Sequence, residues 1–312
     1  MKAIIYEKYG PPEVLELKEI DKPIPKDNEL LVKVYGTTVN AAVVNGRKGI
    51  HPDSKFFTIA LRLMYGIRKP RKPILGYEFA GVVESVGKDV TQFKKGDEVW
   101  GTTTMLKNGS YAEYVCVPEK WKMGVVALKP SNLTYEQAAA VPVAGMAVLH
   151  ILRKAEIQKG QKVLIYGASG STGSFSVQLA KYFGAEVTGV CSTDKIEMVK
   201  SLGADKVIDY TKEDFTQSGE KYDVVFESVV KISDKKCKSA LKPEGTFLTI
   251  KSMTSETEEK MAYLRNLIEK DIIKPYVDRS YPLEEMVEAH KYVDKGHKKG
   301  NVVITVAQKE DK

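Results

Sequence analysis

The sequence predicts an α/β chain in two parts, an antiparallel, barrel-like β region and a doubly wound parallel sheet. Three observations predict it. Short runs of period-two or β-branched character crowd residues 1–120, separated by turns containing Gly, Pro and Asp. From about residue 130, strand and amphipathic helix alternate at the spacing of parallel βαβ units. At the head of that alternation a strand runs into three closely spaced glycines and then, without a gap, into a helix.

The elements follow in order. "AIIYEKYG", "LLVKVYGTTVN", "FAGVVESVG", "GDEVWGTT" and "SYAEYVCVP" read as the strands of the first part. Residues 50–73, "IHPDSKFFTIALRLMYGIRKPRKP", interrupt them with a basic insertion of the kind that forms lids. "SNLTYEQAAAVPVAGMAVLHILRKA" reads as a helical stretch capped by Ser131 or Thr134. "KVLIYG" is a buried strand, and "STGSFSVQLAKYFG" is an amphipathic helix closed by Gly184. Strands "EVTGVC", "DKVIDY", "YDVVFESV" and "GTFLTI" follow, with helices "TDKIEMVKSLG" and "SDKKCKSALKPEG" among them. After residue 275 come a helix, "LEEMVEAHKYVDKG", and a strand, "NVVITV", that suits the antiparallel region better than the parallel sheet. The expected domains are therefore 1–125 with 276–312, and 126–275.

With 312 residues the chain is long enough for two ordinary domains, and 43% hydrophobic with 29% charged residues is a normal globular composition. No apolar run approaches the roughly eighteen residues of a membrane span, and no membrane is expected as a partner. The opening "MKAIIYEKYG" is a strand pattern carrying Glu rather than the apolar core of a signal peptide. Cys116, Cys191 and Cys237 are odd in number and far apart, which favours a reducing, cytoplasmic setting over a disulfide framework. The net charge of +7 is spread along the chain. Its densest cluster, "RKPRKP" at 68–73, reads as a solvated loop, and no nucleic-acid motif accompanies it.

"KVLIYGASGSTGSFSVQLAK" is the most informative stretch. Gly167, Gly170 and Gly173 follow a β-run ending at Tyr166 and open a helix. Small residues let backbone approach a pyrophosphate, and the helix N-terminus offers N–H groups and a positive dipole. The bland alternative is a Gly-rich turn with no ligand. An acidic residue at the end of the second strand would hold a ribose diol. Here the tip offers Cys191, Ser192 and Thr193, and Asp194 falls at the following helix start, where it suits a cap. Ser192 and Thr193 could donate to a phosphate and Lys195 could pair with it, which favours NADPH over NADH. Lys195 as an ordinary exposed helix lysine is the competing reading.

With these pieces placed, the chain resembles the medium-chain dehydrogenase/reductase superfamily, most closely its zinc-independent quinone oxidoreductase branch. The likeness runs nearly end to end, through "TTVNAAVVNGRKG", "ILGYEFAGVVESVG", "FKKGDEVWG", "GSYAEYV", "LTYEQAAAVPVAG", "VLIYGASGSTGSFSVQLAKYFGAEV", "SLGADKVIDY" and "KGHKKGNVVITV". It implies a GroES-like catalytic domain, a Rossmann domain and a cleft between them. In zinc-dependent members the position of Tyr77 is a metal-binding His, and an upstream Cys lies near the "TTVNAAVVNG" segment. Neither is present here, and Cys116 has no cysteine neighbour, so no zinc is expected.

The resemblance implies hydride chemistry without a Lewis acid, toward quinones or α,β-unsaturated carbonyls, whose oxygen takes up the incoming charge. Asn40 matches the family's Asn beside nicotinamide and substrate; a turn cap is the alternative. Tyr77 either donates to the developing oxyanion or fills the vacated metal volume with its hydroxyl bonded nearby. Glu78 is read as structural, paired with Arg47 at the domain junction. Tyr65, in the insertion, either closes over substrate or is a loop aromatic. Cofactor contacts carry over at Gly167, Ala168, Ser169, Gly170, Ser171, Thr172 and Gly173. Ser192, Lys195 and Tyr210 match the adenosine phosphate, Glu227, Ser228 and Val229 the nicotinamide ribose, and Asn301 a polar position reaching the cofactor. The chain departs from the family pattern at Ala147, at Asn40–Ala41 in place of Asn-Pro, and at apolar Val43. His51, His150, His290 and His297 form no spaced ligand set. Relatives are often dimers through the Rossmann sheet edge, so a homodimer is compatible with the resemblance. Two further functions stay open: a non-catalytic NADPH-binding redox sensor, and a zinc-free alcohol dehydrogenase.

Overall fold

The computed structural model describes residues 1–50 and 54–307; His51 lies outside the described residues. Two units emerge, one of residues 1–143, 257–262 and 277–312, the other of residues 144–256 and 263–276.

In the first unit, β1 (Lys2–Ile5) pairs antiparallel with β2 (Glu16–Glu19). The long strand β3 (Glu29–Val39) leads into helix α1 (Ala41–Lys48), and helix α2 (Lys55–Tyr65) occupies the insertion. Strands β4 (Glu78–Val86), β5 (Glu98–Thr102), β6 (Tyr114–Pro118) and β7 (Val126–Leu128) follow, then α3 (Tyr135–Ala139) and α4 (Pro142–Arg153). The second unit begins inside α4, at Ala144, and goes on with β8 (Lys162–Tyr166), α5 (Ser171–Tyr182), β9 (Glu186–Cys191), α6 (Ile196–Ser201) and β10 (Lys206–Asp209). It continues through β11 (Tyr222–Glu227), α7 (Asp234–Lys238), β12 (Leu241–Thr249) and, from Tyr263 on, α8 (Glu258–Glu269), whose first turn belongs to the first unit. The chain then returns to the first unit with β13 (Val277–Pro282), α9 (Met286–Asp294) and β14 (Asn301–Thr305).

The first unit's main sheet has the order β13-β14-β3-β4-β5-β7, with β6 also on β3. β14 pairs antiparallel with β3, placing Val302 opposite Val39, so the C-terminal strand does complete the antiparallel region. Apolar residues alternating inward from these strands build one core around Leu30, Val32, Phe79, Val99 and Val115. A second core joins Ile4, Tyr111 and Val302 to Met286, Ala289 and Val293 of α9.

The second unit is a five-stranded parallel sheet in the order β10-β9-β8-β11-β12. With β8 as first strand this is the 3-2-1-4-5 order of a doubly wound dinucleotide-binding sheet, in which the strand order reverses beside the first strand. Val163, Leu164 and Ile165 are fully buried, as the interior strand of a parallel sheet covered on both faces requires.

Two expectations are corrected. The helical stretch from 131 to 155 is two helices: Thr134 caps α3 in a reciprocal capping box with Gln137, and α4 begins afresh at Pro142. Proline lacks the N–H a continuing helix would need and suits the first position of a new one. The helix read through "SDKKCKSALKPEG" ends at Lys238, and β12 takes the residues from Leu241 on. Pro243 fits there because β12 is an edge strand, which tolerates a missing donor.

Candidate active site

Glu78 opens β4 and is buried, 2% exposed. Its carboxylate has partners on both oxygens. Oε1 accepts from the Thr38 hydroxyl and, at 3.2 Å, from Asn40 Nδ2. Oε2 accepts from the backbone N–H of Val143 at 2.9 Å, in the first turn of α4. A carboxylate there satisfies an orphan donor and meets the positive end of the helix dipole. Arg47, the partner expected for Glu78, is engaged elsewhere. It donates to Gly10 O at 3.2 Å, to His290 Nδ1 at 3.1 Å and to Asp294 Oδ2 at 2.6 Å. The expected Glu78–Arg47 pair is therefore corrected: neutral donors hold Glu78, and spacing alone does not pair a strand's mouth with a side chain on another element.

Asn40 is the N-cap of α1. Its Oδ1 accepts from Val43 N at 3.0 Å while its Nδ2 holds Glu78. Both ends of the amide are thereby fixed, and Asn40 ties a helix start to the buried carboxylate.

Tyr77 lies next to Glu78 and lines a cavity of about 40 Å³ within the first unit, together with Tyr6, Tyr65, Lys72, Leu75 and Leu106. Gly46 in α1 leaves room for its hydroxyl: a Cβ there would stand 2.8 Å from Tyr77 Oη. Among the described residues that hydroxyl has no hydrogen-bond partner, contrary to the expectation that a packed Tyr77 would be bonded nearby. Burial pushes its ionisation well above the usual phenol range, so Tyr77 is a protonated donor at neutral pH. Tyr65, at the end of α2, donates to Met105 Sδ at 3.4 Å and shares the cavity. Among the described residues no three His, Cys, Asp or Glu side chains gather as a metal site needs.

The cradle lies in the second unit. Gly167 takes φ +84°, and a Cβ on it would meet Val229 Cγ1 at 2.3 Å. A Cβ on Gly173 would lie 2.1 Å from Gly167 O. At Gly173 backbone therefore packs directly on backbone, and at Gly167 the positive φ and the Val229 side chain leave room for glycine alone. Gly170 is the N-cap of α5 and supplies no side-chain acceptor, which leaves the helix start suited to an anion. Around it, Thr172 Oγ1 donates to Ser228 O at 3.0 Å, and Ser228 Oγ to Tyr166 O at 2.8 Å. Glu227 is fully buried and accepts from Val229 N at 2.8 Å, from Val230 N and from Thr249 Oγ1 at 3.0 Å, which sets the turn after β11. Ala168 and Ser169 are buried within the same turn, and Ser171 begins α5.

At the tip of β9, Ser192 Oγ donates to Asp194 Oδ1 at 2.6 Å. Lys195 is buried and not the exposed helix lysine of the competing reading. Tyr210, just past β10, is exposed, its ring 6.4 Å from that of Tyr166. Asp209 ends β10, accepting from the hydroxyls of Thr193 and Thr211. Asn301 is buried at the start of β14, in the first unit, opposite Val277 of β13.

The sequence is matched by two family models, "Alcohol dehydrogenase GroES-like domain" over residues 26–131 and "Zinc-binding dehydrogenase" over residues 171–289. The 2-methylene-furan-3-one reductase of Solanum lycopersicum is 35% identical, over 97% of this chain and 79% of its own length. The chain belongs to the medium-chain dehydrogenase/reductase superfamily, in its quinone oxidoreductase-like branch. Another superfamily relative, the chloroplastic NADPH-dependent alkenal/one oxidoreductase of Arabidopsis thaliana, is 33% identical over 97% of this chain and 79% of that one. The quinone oxidoreductase structure from Coxiella burnetii superposes with a TM-score of 0.83 at 27% identity, covering 98% of this chain and 99% of that one. The superfamily's two domains, GroES-like and Rossmann-like, are the two units described above.

Sequence reading missed Thr38, Tyr6 and Lys72. Thr38 gave no signal, being one of many strand threonines. Lys72 was hidden in "RKPRKP", read as a solvated loop. Arg68, Lys69 and Arg71 are indeed exposed, but Lys72 is half-buried and faces the cavity.

Proposed function

We propose that the protein is an NADPH-dependent reductase that transfers hydride to quinones or α,β-unsaturated carbonyls without zinc. One observation carries the reading: Tyr77, a protonated and unpartnered hydroxyl in a cavity, stands where zinc-dependent members place a metal-binding His. The relatives named for alkenal, furanone and quinone substrates support the substrate class. Bound NADPH would supply the hydride. The α5 N-terminus with Gly167, Gly170 and Gly173 would hold its pyrophosphate, Ser192, Lys195 and Tyr210 its adenosine phosphate, and Val229 its nicotinamide ribose. On binding a ribose phosphate, Ser192 exchanges Asp194 for phosphate oxygen. Asn40, fixed by Glu78, orients the reacting partners, and Tyr65 closes over the acceptor. Tyr77 donates a hydrogen bond to the substrate oxygen as it gains charge, in place of a Lewis acid.

The test is cofactor consumption by metal-stripped protein over benzoquinone, phenanthrenequinone, an alkenal and a simple ketone, with NADPH and NADH in parallel. NADPH-dependent turnover confined to quinone or alkenal is the expected result. Equal use of NADH removes the roles given to Ser192 and Lys195. Tight NADPH binding with no turnover returns the redox sensor, and alcohol-dependent reduction of NADP returns the alcohol dehydrogenase.

A further inference from the structure

The cavity beside Tyr77 holds one cation and no carboxylate side chain among its lining residues. Lys72 lies half-buried there with its Nζ 5.3 Å from the Tyr65 ring centroid. Among the described residues it makes no hydrogen bond and no ion pair. The Tyr6 hydroxyl is likewise without a partner among the described residues, in a residue only 4% exposed. An ammonium group against apolar walls such as Leu75 and Leu106 loses hydration and gains no counter-charge. Burial accordingly lowers the Lys72 pKa from its ordinary value. Other cations of the same loop, Arg68, Lys69 and Arg71, point to solvent and incur no such penalty. A cation kept half-buried with a ring face beside it but no acceptor or counter-charge among the described residues is explained if a ligand supplies one. Lysine seeks a negative oxygen, and a phenol hydroxyl can donate to the same group. A volume of about 40 Å³ has room for a group of that size.

We propose that this cavity is a subsite for a carboxylate carried by the substrate, with Lys72 pairing to it and Tyr6 donating a hydrogen bond. The assignment rests on the reductase reading and narrows it: the substrates are small α,β-unsaturated carbonyls that also bear a carboxylate, that is, oxo-enoic acids. Tyr77 then serves the carbonyl oxygen, and Lys72 the distant acid.

The test separates binding from turnover. Binding of levulinate and of its methyl ester to the full-length protein is measured by calorimetry. Neither ligand has a conjugated carbon–carbon double bond and no NADPH is added, so the measurement does not depend on the reaction. A charge-assisted contact in a partly desolvated site is expected to make levulinate bind about tenfold tighter than the ester. Lys72→Met is expected to erase that difference, and Lys72→Arg, which keeps the charge, to retain most of it. Turnover is then followed with β-acetylacrylate and its methyl ester, where the preference for the acid should appear in KM and vanish in Lys72→Met. Equal binding of acid and ester by the unchanged protein overturns the proposal, as does a difference that survives Lys72→Met. A fall in kcat on both substrates with KM unchanged overturns it too, because the ammonium would then serve the developing enolate. Acid-selective binding with no turnover counts for the subsite and against the reductase reading.

Discussion

Tyr77 shows how much can turn on one side chain. In the proposed reaction its phenol serves as a neutral donor in the place of a Lewis acid. Burial keeps that donor protonated, and Gly46 keeps space beside it. Tyr77→Phe removes the donor and retains the ring, so the packing of the cavity wall is preserved. A single preorganised donor to a developing oxyanion is worth about a hundredfold or more in kcat. Tyr77→Phe should therefore lower kcat for an alkenal by about that factor with little change in KM, read by steady-state kinetics at saturating NADPH. Unchanged kcat would return Tyr77 to a packing role. At this scale the sequence singled out Tyr77 and Glu78, but it could not name what holds Glu78. Thr38, Asn40 and the Val143 N–H reach it through sheet register and a helix start far along the chain. No local pattern encodes such a meeting.

Elements were more legible than their ends. Strand-glycine-helix at residues 162–182 could be read because each part constrains the next: a buried β-run, a close backbone turn, then an amphipathic helix. Helix α3 and helix α4 merged in the reading because their apolar residues keep one helical period across Val141 and Pro142; only the missing proline N–H divides them. β12 was shortened because "LKPEG" looks like a turn, and an edge strand can absorb the Pro and Gly. The short strand β7 has too few residues for a period to show. The cradle also gives the element-scale prediction. Gly173→Ala would push a methyl group to 2.1 Å from Gly167 O, a backbone atom that cannot swing away. The turn must shift, at a destabilisation of about 1–3 kcal/mol typical of overpacking. The expected outcome is a lower melting temperature and loss of the NADPH-induced rise in melting temperature. A full cofactor-induced rise in Gly173→Ala would mean that the cofactor does not approach this turn.

Across the whole chain, the first unit is closed by a polar network that joins residues more than two hundred positions apart. Arg47 of α1 is fully buried, donating to His290 Nδ1 at 3.1 Å and to Asp294 Oδ2 at 2.6 Å on α9. With Nδ1 accepting, His290 carries its proton on Nε2, which faces Tyr111 Oη at 3.2 Å, and Tyr111 in turn donates to Thr38 O at 3.1 Å. Thr38 is also a Glu78 partner, so the network runs from the C-terminal helix to the candidate site within one unit. The pattern of "LEEMVEAHKYVDKG" announced a helix; nothing in it announced that His290 would be fully buried against an arginine. Burial, and then the nearby Arg47 charge, push the His290 pKa down to about 3 from the usual 6.5. Below pH 6.5 the unfolded chain binds a proton on this residue that the folded chain refuses until about pH 3. Stability is thus fully present above pH 6.5 and drains as the pH falls through that window, by up to about 1.4 kcal/mol per pH unit. Other carboxylates add their own acid loss, so the diagnostic quantity is a difference in slope. His290→Gln keeps an acceptor and a donor without titrating, and its melting temperature should fall less steeply between pH 6.5 and 4 than that of the unchanged protein. Parallel slopes would mean that His290 takes up its proton as readily in the fold as in the unfolded chain, and that Arg47 is then held by Asp294 and Gly10 without the imidazole as acceptor.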